Sequence, residues 1–120
     1  MAKLLIIDDE VDVLEMAAHY FRKRGIEVLT ADNGVEAIRI IADDKPDLAL
    51  LDFNLPDMTG AEVLKKVQEE LKSDVKVIVM TGANEDQIKK EIGDLDVYRY
   101  LFKPLTLDVL EKMVLAELNK

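Results

Sequence analysis

KLLIIDDEVD, residues 3–12, runs four apolar residues, Leu4 to Ile7, directly into Asp8, Asp9 and Glu10. A short apolar run without polar alternation reads as a strand covered on both faces. Carboxylates crowded at the end of such a strand repel one another, so their presence asks for a reason. Two carboxylates about 4 Å apart repel by roughly 4 kcal/mol at an effective dielectric near 20.

The same kind of segment recurs along the chain. Runs rich in Leu, Ile and Val predict strands at 3–7, 26–31, 47–51, 75–80 and 97–102. Between them lie stretches with helical spacing. Val11, Leu14, Ala18 and Phe21 form one stripe, on a helix expected over 11–24. Ile38, Ile41 and Ala42 form a second, and Val63, Leu64, Val67 and Leu71 a third. Leu107, Leu110, Val114 and Leu118 form another, with Thr106 as its N-cap. The stretch 85–92 is weaker, with Ile88 and Ile92 alone on one face, and Asn33-Gly34 reads as a turn. Strands alternating with helices imply an α/β fold, a doubly wound five-stranded parallel sheet with five surrounding helices. Both a Rossmann-type order and a flavodoxin-like order, 2-1-3-4-5, satisfy this pattern, and both place ligands at the carboxyl ends of the strands.

The totals suit one such unit. The 120 residues match a single domain, 1–120, and the 49% apolar and 34% charged content is that of a globular chain. Aromatic residues are sparse and Trp is absent, so the core rests on aliphatic side chains. The formal net charge of −9 disfavours direct binding to nucleic acid or to an anionic membrane. With no Cys and a single His, His19, there is no thiolate chemistry and no His-rich metal site. The N-terminus lacks the apolar segment of a signal peptide, and no apolar run approaches the ~18 residues of a membrane span. A cytoplasmic location is the expectation.

The residue beyond each strand carries the chemistry. Asp8 and Asp9 follow the first, Asp52 the third, Thr81 the fourth and Lys103 the fifth. With neighbouring strands about 4.8 Å apart, a 2-1-3-4-5 order gathers these side chains at one edge. Lys103 offsets only part of the charge of three acids, and the remainder calls for a raised pKa or a bound cation. An all-oxygen donor set selects a hard cation, and Mg²⁺ suits few carboxylates, open water positions and an incoming phosphate. Each residue also has a plain structural reading. Asp9 or Glu10 can cap the helix at 11–24, Asp52 can open a turn, Thr81 can be a loop hydroxyl, and Lys103 a solvated surface lysine. It is their joint occurrence at successive strand ends that favours a site.

With the acidic pair Asp8-Asp9, DFNLPDMTG at 52–60, MTGA at 80–83 and YLFKPL at 100–105, the chain resembles the receiver domain of two-component response regulators, the CheY-like family. The resemblance covers essentially all 120 residues and implies the 2-1-3-4-5 order. It implies that Asp52 accepts a phosphoryl group from a histidine kinase or phosphotransfer protein. It implies that Asp8, Asp9, Asp52 and the backbone carbonyl of Asn54 hold Mg²⁺. Thr81 and Lys103 would bind the attached phosphoryl group, and Tyr100 would be the aromatic switch. Lys103-Pro104 would be a cis bond that aims Lys103 inward.

The family further implies an output face of helix 4, strand 5 and helix 5, which would control a downstream protein or a covalently linked output domain and could form a dimer. Such a chain is a switch rather than an enzyme, catalysing only its own phosphorylation and dephosphorylation. Ala83 brings no polar group to the path of a hydrolytic water, so no fast side-chain-assisted dephosphorylation is expected from that position.

GDLDVYRY, residues 93–100, departs from the Gly-Ala pair receivers often carry there, which implies a short or mobile fourth helix. Tyr98 and Tyr100 would share a face of a regular strand, and Phe53 and Phe102 read as packing residues. A haloacid-dehalogenase-type phosphatase would need a second acid two residues after the nucleophile, where this chain has Asn54. A flavodoxin would not place DDEVD where its first loop cradles a phosphate. The remaining alternative is a receiver-fold interaction module that does not signal by phosphate. The chain ends at ELNK, after helix 5, which fits either a stand-alone receiver or a piece of a longer protein.

Overall fold

A computed structural model describes residues 2–103 and 105–118. Five strands, β1 (Lys3–Ile7), β2 (Glu27–Ala31), β3 (Leu48–Asp52), β4 (Lys76–Thr81) and β5 (Arg99–Phe102), form one parallel sheet in the order β2-β1-β3-β4-β5. Five helices alternate with them: α1 (Val11–Arg22), α2 (Gly34–Asp44), α3 (Gly60–Lys65), α4 (Glu85–Ile92) and α5 (Leu107–Leu118). The flavodoxin-like order of the two open at the sequence level is the one adopted. No helix among the described residues is long and apolar enough to cross a membrane.

The sheet divides two cores. Leu4, Ile6, Leu48, Leu50, Ile78 and Met80 pack with α1 and α5. Leu5, Ile7, Ala49, Leu51, Val77 and Val79 pack with α2, α3 and α4. Every residue of β3 is buried, which is why its sequence is an unbroken apolar run until Asp52. The period-2 alternation matters for function, because Asp8 and Asp52 continue the phase of Leu4-Ile6 and Leu48-Leu50 on the α1/α5 side.

Several expectations are corrected. Val11 does not belong to the buried stripe of α1; it is 49% exposed, and Ala17 completes that stripe with Leu14, Ala18 and Phe21. Ala42 is exposed, and α2 buries Ala37, Ile40 and Ile41 instead. Asn33-Gly34 is not a free turn: Asn33 is the N-cap of α2, its side chain accepting the Glu36 N–H at 2.8 Å, and Gly34 begins the helix. β5 starts at Arg99, so Tyr98 precedes it. The Tyr98 ring faces the Lys76 ammonium and the Arg99 guanidinium, whereas Tyr100 is half-buried against the α2/α3/α4 core. Phe102 is 41% exposed, unlike the buried Phe53. The expected cap of α5 forms, with Thr106 Oγ1 accepting the Val109 N–H at 3.3 Å.

Helix α3 closes with a π-helical turn, Lys66–Glu70. From that turn the Gln68 side chain reaches Asp96 in the segment before β5. It donates to the Asp96 carbonyl and accepts the Asp96 N–H at 3.0 Å. The loop ahead of β5 is therefore tied to the end of α3 by an amide pairing that resembles a strand ladder.

Gly60 lies against Phe53, the residue after Asp52. A Cβ at Gly60 would sit 2.4 Å from Phe53 Cδ1 and 3.0 Å from its backbone Cα, whereas one at Gly82 would meet nothing within 4 Å. Gly60→Ala is therefore expected to lose about 1–3 kcal/mol of stability through overpacking, while Gly82→Ala loses far less. Urea unfolding of the two variants tests this, and equal losses would contradict the packing described.

Candidate functional site

The site is assembled by backbone geometry first. The Asp8 N–H donates to the Ala31 carbonyl at 3.1 Å, which holds Asp8 in register one step beyond β1. Asp52 ends β3, opposite Met80, and the Phe53 N–H donates to the Met80 carbonyl at 3.0 Å. The Lys103 N–H donates to the Thr81 carbonyl at 2.7 Å, which carries the β4–β5 ladder one residue past the sheet. Parallel pairing thus brings Asp8, Asp52, Thr81 and Lys103 to one edge from four different strands.

The carboxylates of Asp8, Asp9 and Asp52 each place an oxygen within 4.8 Å of the others. Asp8 and Asp52 are buried, 7% and 3% exposed, while Asp9 faces solvent. Lys103 Nζ stands 3.3 Å from Asp52 Oδ1. The same oxygen accepts the Asn54 N–H at 3.3 Å. Asp8 Oδ1 accepts the Glu10 N–H at 3.0 Å. Glu10 occupies the N-cap position of α1, yet its side chain makes no capping hydrogen bond. Asp9 is one residue further out, and it and Asp8 join the carboxylate cluster with Asp52 at the sheet edge.

Burial is the main cause that pushes the Asp8 carboxyl above its ordinary range. The Glu10 N–H opposes it, the neighbouring Asp52 charge adds to it, and Lys103 offsets part of that. Burial, and to a lesser degree the neighbouring Asp52 carboxylate, thus oppose the negative charge of Asp8. Carboxylates alone, close together and open to solvent at Asp9, fit a small hard dication of the Mg²⁺ type.

Thr81 is buried, and its Oγ1 accepts the Ala83 N–H at 3.0 Å. That bond leaves the hydroxyl proton free for an acceptor at the strand end. Tyr100 pairs in register with Val79, two residues before Thr81, so Tyr100 lies on the Thr81 side of the sheet. Of the residues singled out from sequence, the structure brings Asp8, Asp9, Asp52, Asn54, Thr81 and Lys103 to this edge. Tyr100 stands a short way down β5. Pro104, where a cis bond is expected, lies outside the described residues.

Two features were not legible in the sequence. Asp8 and Lys103 also line an apolar groove of about 570 Å³ between α1 and α5, with Leu14, Leu50, Met80 and Leu110. Asp57 and Met58 contact the start of α2, more than twenty residues away in the chain. No local signal marks such tertiary contacts.

A parallel sheet of this order, with an acidic pair just past its first strand, an acid ending its third and a lysine just past its fifth, defines a class of doubly wound domains with an acidic strand-end pocket. Residues 4–115 match the family model of the response regulator receiver domain, and the chain belongs to that family. It is 32% identical over 112 residues to sporulation initiation phosphotransferase F of Bacillus subtilis, covering 93% of this chain and 90% of that protein. It is 36% identical over 104 residues to the phosphate regulon transcriptional regulatory protein PhoB of Pseudomonas aeruginosa, covering 86% of this chain but 45% of that longer protein. The crystal structure of a two-component response regulator from Clostridium difficile superposes with a TM-score of 0.88 at 32% identity, covering all of this chain and 98% of that one.

Because its carboxyl is pushed up, ionised Asp8 weakens the metal-free fold. The stability associated with its protonated form is present at low pH and is lost as pH rises through the folded-state pKa. Asp8→Asn is therefore expected to raise the thermal midpoint at pH 7 in chelator. The gain should shrink as the pH falls towards the ordinary carboxylate value of 3.8. A lower midpoint for the variant at pH 7 would show that the Asp8 charge is compensated.

Proposed function

We propose that the chain is a phosphorelay receiver whose Asp52 accepts a phosphoryl group from a phosphohistidine in a sensor histidine kinase or phosphotransfer protein. The observation that carries the reading is the Asp52 carboxylate at the end of the central strand. It lies 3.3 Å from Lys103, with the carboxylates of Asp8 and Asp9 close by. Family membership and the likeness to a named phosphotransferase point the same way.

In this mechanism an Asp52 oxygen attacks phosphorus. The P–N bond to the donor imidazole breaks, a P–O bond forms, and the imidazole leaves to take up a proton. Asp8, Asp9, Asp52 and the Asn54 carbonyl would hold Mg²⁺, which when bound screens the carboxylate charge from the incoming phosphoryl group. Asp52 is held ready by the Asn54 N–H and by Lys103. Such transfer asks the protein for position and charge compensation more than for acid or base chemistry.

The attached group brings nearly two negative charges into the pocket. Lys103 pairs with them, and the Thr81 hydroxyl donates its free proton. Thr81 cannot move without disturbing its own bond from Ala83 and the 81–84 segment that leads into α4. Tyr100, half-buried beside that segment, turns inward as it shifts. The result is a changed α4–β5–α5 face that controls a downstream protein, or an output domain where one is covalently linked, and that face is also the candidate dimer surface. The protein acts in the cytoplasm as a switch that catalyses only its own phosphorylation and dephosphorylation.

Incubation with acetyl phosphate, followed by intact-mass spectrometry, tests the reading. Wild type is expected to gain one phosphoryl group with Mg²⁺ and none with chelator, and Asp52→Asn to gain none. A folded wild type that takes up Mg²⁺ yet stays unmodified would favour a receiver-fold interaction module that does not signal by phosphate.

A further inference from the structure

The Asp57 carboxylate serves a helix that is not its own. Its Oδ1 accepts the Gly34 N–H at 2.8 Å and its Oδ2 the Val35 N–H at 3.0 Å, at separations of 23 and 22 residues. Beyond the N-cap Asn33, the N–H groups of Gly34, Val35 and Glu36 at the start of α2 have no acceptor within the helix. The Asn33 side chain takes one, from Glu36, and Asp57 takes the other two. A negative charge at this end is also favoured by the helix dipole. The Gly34 and Val35 N–H groups hold the Asp57 carboxyl below its ordinary range. Met58 reinforces the tie, since a Cβ at Gly34 would come within 2.3 Å of Met58 Cγ.

The rest of the 53–59 loop is braced from its other end. The Gly60 N–H donates to the Phe53 carbonyl at 2.8 Å, and Asn54 bridges Thr59 in antiparallel fashion. The loop is thus closed upon itself beside Asp52 and fastened at its far side to α2. Asn54, whose N–H donates to Asp52, lies inside this closed path.

We propose that Asp57 is a positioning residue: by tying the 53–59 loop to the first turn of α2, it holds the Asn54 backbone where it orients Asp52 and completes the cation site. The assignment rests on the phosphoacceptor reading, because it names what keeps that acceptor in place. Asp57 touches no reacting atom and acts through Asn54.

The test uses NMR on wild type, Asp57→Ala, Asp57→Asn and Asn33→Ala. Backbone hydrogen exchange is measured in metal-free protein, and Mg²⁺ affinity by titration of the same spectra. Asp57→Ala is expected to speed exchange at Gly34, Val35 and Asn54. It should also raise the Mg²⁺ Kd by roughly threefold to tenfold, at or below the lower end of what outer-shell partners of metal sites contribute. Asp57→Asn keeps one acceptor and should fall between. Asn33→Ala strips a cap from the same turn without touching the loop, so its Mg²⁺ affinity should match wild type.

Unchanged Asn54 exchange in Asp57→Ala would overturn the proposal whether or not the metal binds. So would an equal loss of Mg²⁺ affinity in Asn33→Ala, which would make the effect one of helix stability. Should Asp57→Ala fail to fold, Asp57→Asn carries the same comparison. A wild type that neither binds Mg²⁺ nor accepts phosphoryl from acetyl phosphate would sink the phosphoacceptor reading itself, a failure separate from that of the tie.

Discussion

The mutual repulsion of Asp8, Asp9 and Asp52 is the constraint around which this molecule is arranged. Three carboxylates with oxygens within 4.8 Å of one another oppose folding unless something answers their charge. Lys103 answers part of it, at 3.3 Å from Asp52, while burial, with the Asp52 charge adding to it, pushes the Asp8 carboxyl above its ordinary range. Hydrogen bonds from the backbone of Glu10 and Asn54 hold two of the acids in place rather than letting them swing apart. The pocket thus concentrates negative charge of a kind that a bound dication would relieve.

The sheet makes that concentration possible. Parallel strands end at the same edge, so residues distant in sequence meet without any loop having to fold over the site. β1 and β3 are neighbours at the centre, and their hydrophobic burial on both faces anchors Asp8 and Asp52 against their mutual repulsion. Chain elements around the edge differ in how firmly they are held. The loop after β3 is braced by Gly60, Thr59 and Asp57, whereas α4 is eight residues long with two buried side chains. On the proposed phosphoacceptor reading, a braced Asp52 loop beside a helix with two buried side chains would let a new charge at Asp52 be read out at α4.

Much of this was legible because it follows from local pattern. The unbroken run LALLD announced a strand buried on both faces, and the phase of each strand fixed which residue stood at its end. Val11 and Ala42 fit their helical stripes in sequence but are exposed, because an apolar side chain near a helix end keeps the helical spacing whether or not a neighbour covers it. The Asn33-Gly34 pair read as a turn because its dipeptide chemistry suits both a turn and a helix start, and the Asp57 contact that favours the helix comes from 23 residues away. Gln68 against Asp96 and the groove between α1 and α5 were hidden for the same reason. Pairings set by tertiary packing leave no periodic trace.

The central claim is that the three acids form one cation site rather than a set of separate structural carboxylates. Isothermal titration of Mg²⁺ into wild type and Asp9→Asn tests it most directly, because Asp9 is exposed and its removal disturbs the core least. The account predicts a single-site isotherm for wild type, weakened at least about tenfold in the variant. Equal affinities in the two proteins, or no binding to wild type, would contradict it.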